Sequence, residues 1–143
     1  HGGCTEYLGD NKVVLCEYTH LPVVLNGWIF AWFGLFDFVK AMSKDCDNKY
    51  VEKLNESLLT MEGMLPSFSC GYWSLYDTNG KMASPFYHRL HIAQMEAMYA
   101  LTSHDIFDLY ARRWTANLNN PVFKSIAFVK KAWQKIIEKE HWA

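Results

Sequence analysis

The stretch VEKLNESLLTMEGML, residues 51–65, decides the class of fold. Val51, Leu54, Leu58, Met61 and Leu65 recur at intervals of three and four, which gathers them on one stripe of an α-helix opposite Glu52, Lys53, Glu56 and Glu62. Asp47 stands where an N-cap carboxylate is expected. The same period extends outward in both directions. Residues 21–42 are apolar nearly all round, which predicts a helix enclosed by other protein, with Pro22 in its first turn. Downstream, Ser103 is placed to cap a helix carrying Ile106, Leu109, Tyr110 and Trp114. Asn120-Pro121 opens a last helix with Ile126, Val129, Trp133 and Ile136 on one face. Lys130, Lys131, Lys135, Glu138, Lys139 and Glu140 fall largely around its other faces and read as solvated charge.

Between Pro66 and Pro85 the period breaks. SFSCGYWSLYDTNGK, residues 67–81, reads as a strand ending in an Asn79-Gly80 turn, and a connection of this length inside a helical domain usually carries function. A further strand is expected from about Val13 to Tyr18. Five helices with short links predict a mainly α fold of stacked helical hairpins with a small β-hairpin loop, of the α/α-barrel (toroid) type or part of one. No linker, low-complexity segment or internal repeat divides the chain.

Composition narrows the function. With 143 residues, half of them hydrophobic (50%), the chain can bury a core and reads as one domain, 1–143. Fourteen basic against fifteen acidic side chains give a net charge of -1, so there is no broad electrostatic footprint for nucleic acid or an anionic membrane. An acidic substrate must be met locally. Residues 21–36 are the one candidate membrane span, but they contain Pro22, Asn26 and two glycines and fall short of the roughly 20 apolar residues a span needs. Cys4, Cys16, Cys46 and Cys70 form no Cys-x-x-Cys pair, and their three pairings, Cys4–Cys16 among them, are not distinguished by sequence. His88 and His91 lack a third ligand within reach and read as surface or satisfied buried histidines, so no metal is expected. Phosphate loops, nucleophile elbows and Cys-His pairs are not recognisable, which ranks phosphoryl and acyl transfer low. Asn55-Glu56-Ser57 fits the N-glycosylation pattern but falls inside a helix. A first residue of histidine, with no signal-like apolar run after it, suggests a chain cut from a longer one.

Among the aromatics, Trp28, Phe30, Trp32, Phe33, Phe36 and Phe38 spread around a helix and read as core. Tyr18, Tyr76 and Tyr87 differ, because they sit among Glu17, Asp77, His88 and Arg89, where a phenol can exchange protons. The competing reading is packing: Tyr18 at a core edge, Tyr76 as a cross-strand partner.

The runs Glu17-Tyr18, Val24-Leu25-Asn26-Gly27-Trp28-Ile29-Phe30, Gly34-Leu35-Phe36-Asp37, Met64-Leu65-Pro66, Leu75-Tyr76-Asp77 and Tyr87-His88-Arg89-Leu90-His91-Ile92-Ala93-Gln94 together resemble the carboxy-terminal domain of D-glucuronyl C5-epimerase. Order and spacing agree across roughly residues 15–115, and the pieces in sequence are far more specific than any one of them. The resemblance implies a cofactor-free α/α-barrel domain, of which this chain holds the later helices and lacks the preceding part. It implies binding of a uronic-acid-containing polysaccharide, of the heparan sulfate or heparosan kind, and inversion of C5 in its glucuronate residues.

Carried over by position, the catalytic candidates are Glu17, Tyr18, Tyr76 and Tyr87, with Asn26, Asp77, Lys81, His88, Arg89 and His91 as substrate-binding candidates. Glu17 would serve as base on one ring face, Tyr76 or Tyr87 on the other, and Tyr18 would orient the carboxylate. The chain departs from the family pattern at Asn79, where similar sequences place an arginine able to grip a uronate carboxylate; Lys81 and Arg89 are the nearest replacements for that charge. That departure keeps two other readings open, a non-catalytic glycan-binding scaffold and a polysaccharide lyase sharing the proton-abstraction step. A homodimer is also left open, and the compartment follows the source: cytoplasmic for a bacterial protein, Golgi lumen for an animal one.

Overall fold

The computed structural model describes residues 5–7, 12–16, 22–42 and 46–140. The protein is mainly helical, and the chain divides into two compact units, His1–Pro66 and Ser67–Ala143.

In the first unit, strand β1 (Thr5–Tyr7) pairs antiparallel with β2 (Val13–Leu15), and helices α1 (Leu25–Met42) and α2 (Asn48–Met64) follow. The expected strand is therefore present at Val13–Leu15, while its continuation through Glu17 and Tyr18 lies outside the described residues. Helix α2 follows the sequence pattern closely. The Asp47 carboxylate accepts from Lys49 N–H at 3.0 Å, and Leu54, Leu58 and Met61 are buried. Three bonds tie neighbouring elements to this helix. Trp28 Nε1–H donates to Ser57 Oγ at 2.8 Å, Trp32 Nε1–H to the Leu54 carbonyl at 3.1 Å, and Val13 N–H to Thr60 Oγ1 at 3.1 Å. The serine of the glycosylation-like triplet thus holds an indole.

Helix α1 corrects two expectations. It begins at Leu25, so Pro22 precedes the helix instead of occupying its first turn. It also buries one face, Leu25, Trp28, Ile29 and Trp32, and leaves Phe30 and Phe38 exposed. Their rings pack at the surface, Phe30 edge-on to Phe33 and Phe38 edge-on to Tyr50. An apolar composition all round therefore did not mean burial all round.

In the second unit a hairpin connection leads into α3 (Pro85–Thr102), α4 (Asp105–Asn119) and α5 (Pro121–Glu140). Ser84 caps α3 by accepting from Tyr87 N–H, and Asn120 Oδ1 caps α5 by accepting from Val122 N–H at 3.0 Å and Phe123 N–H at 3.3 Å. Ser103 does not cap α4. It ends α3 in the left-handed region, φ 59°, with its N–H bonded to the Tyr99 carbonyl, and His104 occupies the N-cap of α4 without its side chain making the capping bond. Asp105 and Asp108 in the first turn supply the negative charge that a helix start favours.

The hairpin is less regular than an extended strand. Residues Leu65–Phe68 make a 3₁₀ turn, and isolated bridges join Ser69 to Ser74 and Leu75 to Met82. Tyr76 N–H bonds the Lys81 carbonyl at 2.6 Å across the turn, where Gly80 adopts φ 81°. That backbone is disfavoured for any residue with a Cβ, which accounts for the glycine after Asn79. Side chains from α5 complete the hairpin edge: Gln134 Oε1 accepts from Met82 N–H at 3.1 Å and Lys131 Nζ donates to the Met82 carbonyl at 2.7 Å. The opposite face of α5 is open, with Val129 65% and Trp133 64% exposed, so the apolar stripe read from the sequence is not a buried one within this chain.

Candidate functional site

The site is built where the hairpin meets the start of α3. Trp73 anchors the hairpin: its ring is fully buried, its Nε1–H donates to the Ala83 carbonyl at 3.0 Å, and Met82, Ala83 and Ala127 pack around it. Tyr76 and Tyr87 lean on this cluster with part of each side chain still accessible. Their rings meet edge to face, centroids 4.8 Å apart and planes at 64°. Tyr76 comes from the hairpin and Tyr87 from the first turn of α3, so two of the tyrosines marked by sequence are neighbours. Phe86, 67% exposed, stands edge-on to Tyr87 at 5.3 Å.

The remaining candidates are distributed as follows. Glu17 and Tyr18 lie outside the described residues, and Asn26 belongs to α1 in the first unit. Asp77 is buried, and its Oδ1 accepts from Asn79 N–H at 3.0 Å and Lys81 N–H at 3.1 Å, so this carboxylate holds the turn together. Asn79 is exposed and Lys81 half-buried. Both border an open depression of about 390 Å³ whose lining is completed by Asp77, Gly80, Gln134 and Ile137. Arg89 is exposed on α3.

His88 and His91 face inward and are fully buried. Ser74 lies between them, its Oγ 2.8 Å from His88 Nδ1 and 2.9 Å from His91 Nδ1. Ser74 N–H also donates to His88 Nδ1 at 3.2 Å, and His88 Nε2 contacts the Trp114 carbonyl at 3.3 Å. The His88 ring stacks on Trp73 at 3.7 Å. Burial pushes the His88 imidazolium down to about 4 and that of His91 to about 3, the neighbouring Arg89 and His88 charges acting in the same direction respectively. Both rings are therefore neutral at physiological pH. Among the described residues no cluster of three His, Cys, Asp or Glu side chains gathers that would hold a metal, and Cys46 and Cys70 are thiols outside any disulfide.

Sequence reasoning singled out neither Trp73 nor Ser74, and it read Trp114 only as part of an apolar helical stripe. Ser74 carries no local signal, since its side-chain partners lie 14 and 17 residues away. Trp73 was visible only as one aromatic in a loop rich in them.

The arrangement defines a mainly helical domain in which a phenol from the hairpin and one from the first turn of α3 meet on a cluster around a buried tryptophan, itself stacked on a histidine. More particularly, the chain belongs to the D-glucuronyl C5-epimerase C-terminus family, whose model matches residues 1–116. Helix α5 lies beyond the matched residues. An uncharacterized protein of Methanocaldococcus jannaschii is 34% identical over 93 residues, a match spanning 65% of this chain and 29% of that protein. No described helix is long and apolar enough to cross a membrane.

Proposed function

We propose that this chain is part of a uronyl C5-epimerase, acting on glucuronate residues of a polysaccharide, and that its two compact units form one domain within a larger α/α barrel. The family supports an epimerase-like domain, and the observation that carries the catalytic reading is the contact between Tyr76 and Tyr87. The C5 hydrogen lies next to a carboxylate, so its removal leaves an enolate whose charge needs donors or cations near the carboxylate oxygens. Lys81, beside the depression at the Tyr76-Asp77 turn, and the exposed Arg89 are the cations at hand. An ordinary phenol is protonated at neutral pH. In this reading Glu17 removes the proton from one face, Tyr76 or Tyr87 returns one to the other, and Tyr18 orients the carboxylate. No cofactor is required, because the substrate's own carboxylate delocalises the charge.

The test is isotopic. The protein incubated with a glucuronate-containing polymer in deuterated water should introduce deuterium at C5, and absence of label from a polymer that binds would remove the reading. Of Tyr76→Phe and Tyr87→Phe, the one that removes the proton-transferring phenol should lower exchange by about a hundredfold or more, and full exchange in both would remove the catalytic role of the pair. Asn79 at the position of the family's arginine favours a second reading, a glycan-binding domain without turnover, which predicts binding with no exchange. A lyase would instead release an unsaturated, ultraviolet-absorbing product.

A further inference from the structure

Ser74, His88 and His91 stand behind the tyrosine pair, and the proton positions among them can be derived. Ser74 N–H donates to His88 Nδ1, so that nitrogen is an acceptor and the ring hydrogen sits on Nε2, which donates to the Trp114 carbonyl. Ser74 Oγ is 2.8 Å from the same acceptor and so must direct its hydroxyl hydrogen there. Its oxygen is left to accept, which makes His91 Nδ1, 2.9 Å away, the donor. The opposite assignment would set the Ser74 oxygen and His88 Nδ1 lone pairs against each other at 2.8 Å. One direction satisfies every contact: His91 Nδ1–H to Ser74 Oγ–H to His88 Nδ1, with His88 Nε2–H on α4. Nε2 of His91 is then a bare lone pair, consistent with its having no hydrogen-bond partner among the described residues.

Two members of this chain of bonds, Ser74 and His88, lie close in sequence to a candidate catalytic phenol. Ser74 precedes Tyr76 by two residues in the hairpin, and His88 directly follows Tyr87 in α3. We infer that Ser74 is a positioning residue that, through His88 and His91, locks the hairpin carrying Tyr76 to the helix turn carrying Tyr87 and so fixes the angle between the two rings. This role rests on the epimerase reading for its catalytic consequence, but the lock itself does not. The histidines then act on the substrate through the tyrosines, without touching it. Trp73 stacked on His88 prevents that ring from tilting, and the bond to Trp114 prevents it from turning.

Long-range proton–nitrogen correlation spectra of the ¹⁵N-labelled full chain at pH 7 test the lock without any variant. Two neutral rings are expected, His88 protonated on Nε2 and His91 on Nδ1, the less common form for a free imidazole. His91 protonated on Nε2, or either ring charged at pH 7, overturns the inference. Ser74→Ala should move the His91 hydrogen off Nδ1 and weaken the inter-ring Overhauser contacts of Tyr76 and Tyr87 at least twofold. It should lower kcat for C5 exchange by roughly tenfold while KM stays within about twofold, since misorientation taxes the chemical step. Ser74→Thr keeps the hydroxyl and should retain the wild-type tautomers. If the wild type exchanges no deuterium, the epimerase reading fails, and the tautomers and ring contacts still decide the lock. A folded Ser74→Ala protein with unchanged ring contacts and unchanged kcat would overturn the positioning role.

Discussion

The two compact units are each held together by buried polar bonds, but of different chemical kinds. In the first, the donors are the indoles of Trp28 and Trp32 and a backbone N–H, and the acceptors are Ser57, the Leu54 carbonyl and Thr60. None of these groups titrates. In the second, the central bonds run through His88 and His91, and protonation of His88 would turn the nitrogen that accepts from Ser74 into a donor. A fold needs only the first kind. The second kind puts ionisable, orientation-sensitive groups close to two partly exposed phenols, and that contrast supports the proposal of a site at the hairpin and α3.

Removing Trp73 would break the contrast most severely. Trp73→Ala deletes a fully buried ring, the stack on His88 and the bond to Ala83, and should cost about 3–5 kcal/mol in urea unfolding. Hydrogen exchange should rise in the hairpin and at the start of α3 before it rises in α1 and α2. A uniform rise across both units would show that the ring serves the whole chain equally.

Acid should separate the units more gently. A buried histidine with a lowered pKa binds fewer protons folded than unfolded, so its stabilisation is complete above the ordinary value of 6.5 and is lost as pH falls toward the folded value, about 4 for His88 and about 3 for His91. By pH 5 the loss from His88 alone should be about 2 kcal/mol, with His91 adding in the same direction. Protection of hairpin amides measured at pH 7, 6 and 5 should fall accordingly, while amides around Trp28 and Ser57 hold. A flat profile across this window would mean that the two rings are not buried neutral.

In the first unit the matching perturbation is Ser57→Ala. It leaves the Trp28 indole N–H buried without its acceptor, a loss of about 1–2 kcal/mol that should not vary between pH 7 and pH 5. If the cost proves as pH-dependent as that of the histidine network, the chemical distinction between the units fails.

What the sequence made legible was local. The stripe from Val51 to Leu65, the Asp47 cap and the Asn120-Pro121 start are short-range patterns whose physical cause lies within one or two helical turns, and the structure has each of them. The contact between Tyr76 and Tyr87 was approached only through chemistry and resemblance, because their separation of eleven positions says nothing of ring geometry. The network at Ser74 was beyond reach, since a serine in a loop reads the same whether it faces water or two imidazoles. The extent of burial along α1 and α5 was illegible for a related reason: periodicity reports which residues share a face, and not whether anything covers it.

Ser103 shows how a correct residue preference can be attached to the wrong helix, and it yields the smallest effect. Serine is a favoured N-cap, but one position from the end of α3 the chain must turn sharply, and Ser103 does so at φ 59° with its side chain exposed. An L-residue pays steric strain there that glycine avoids. Ser103→Gly loses no side-chain contact with a neighbouring element, although it adds freedom to the unfolded chain, which offsets part of the relief. The net should be a stabilisation of a few tenths to about 1 kcal/mol in urea unfolding. It should leave the His88 and His91 tautomers unchanged, because the turn is separated from Ser74 by the whole length of α3. A destabilised Ser103→Gly would return the residue to its N-cap role and require α4 to begin one position earlier than Asp105.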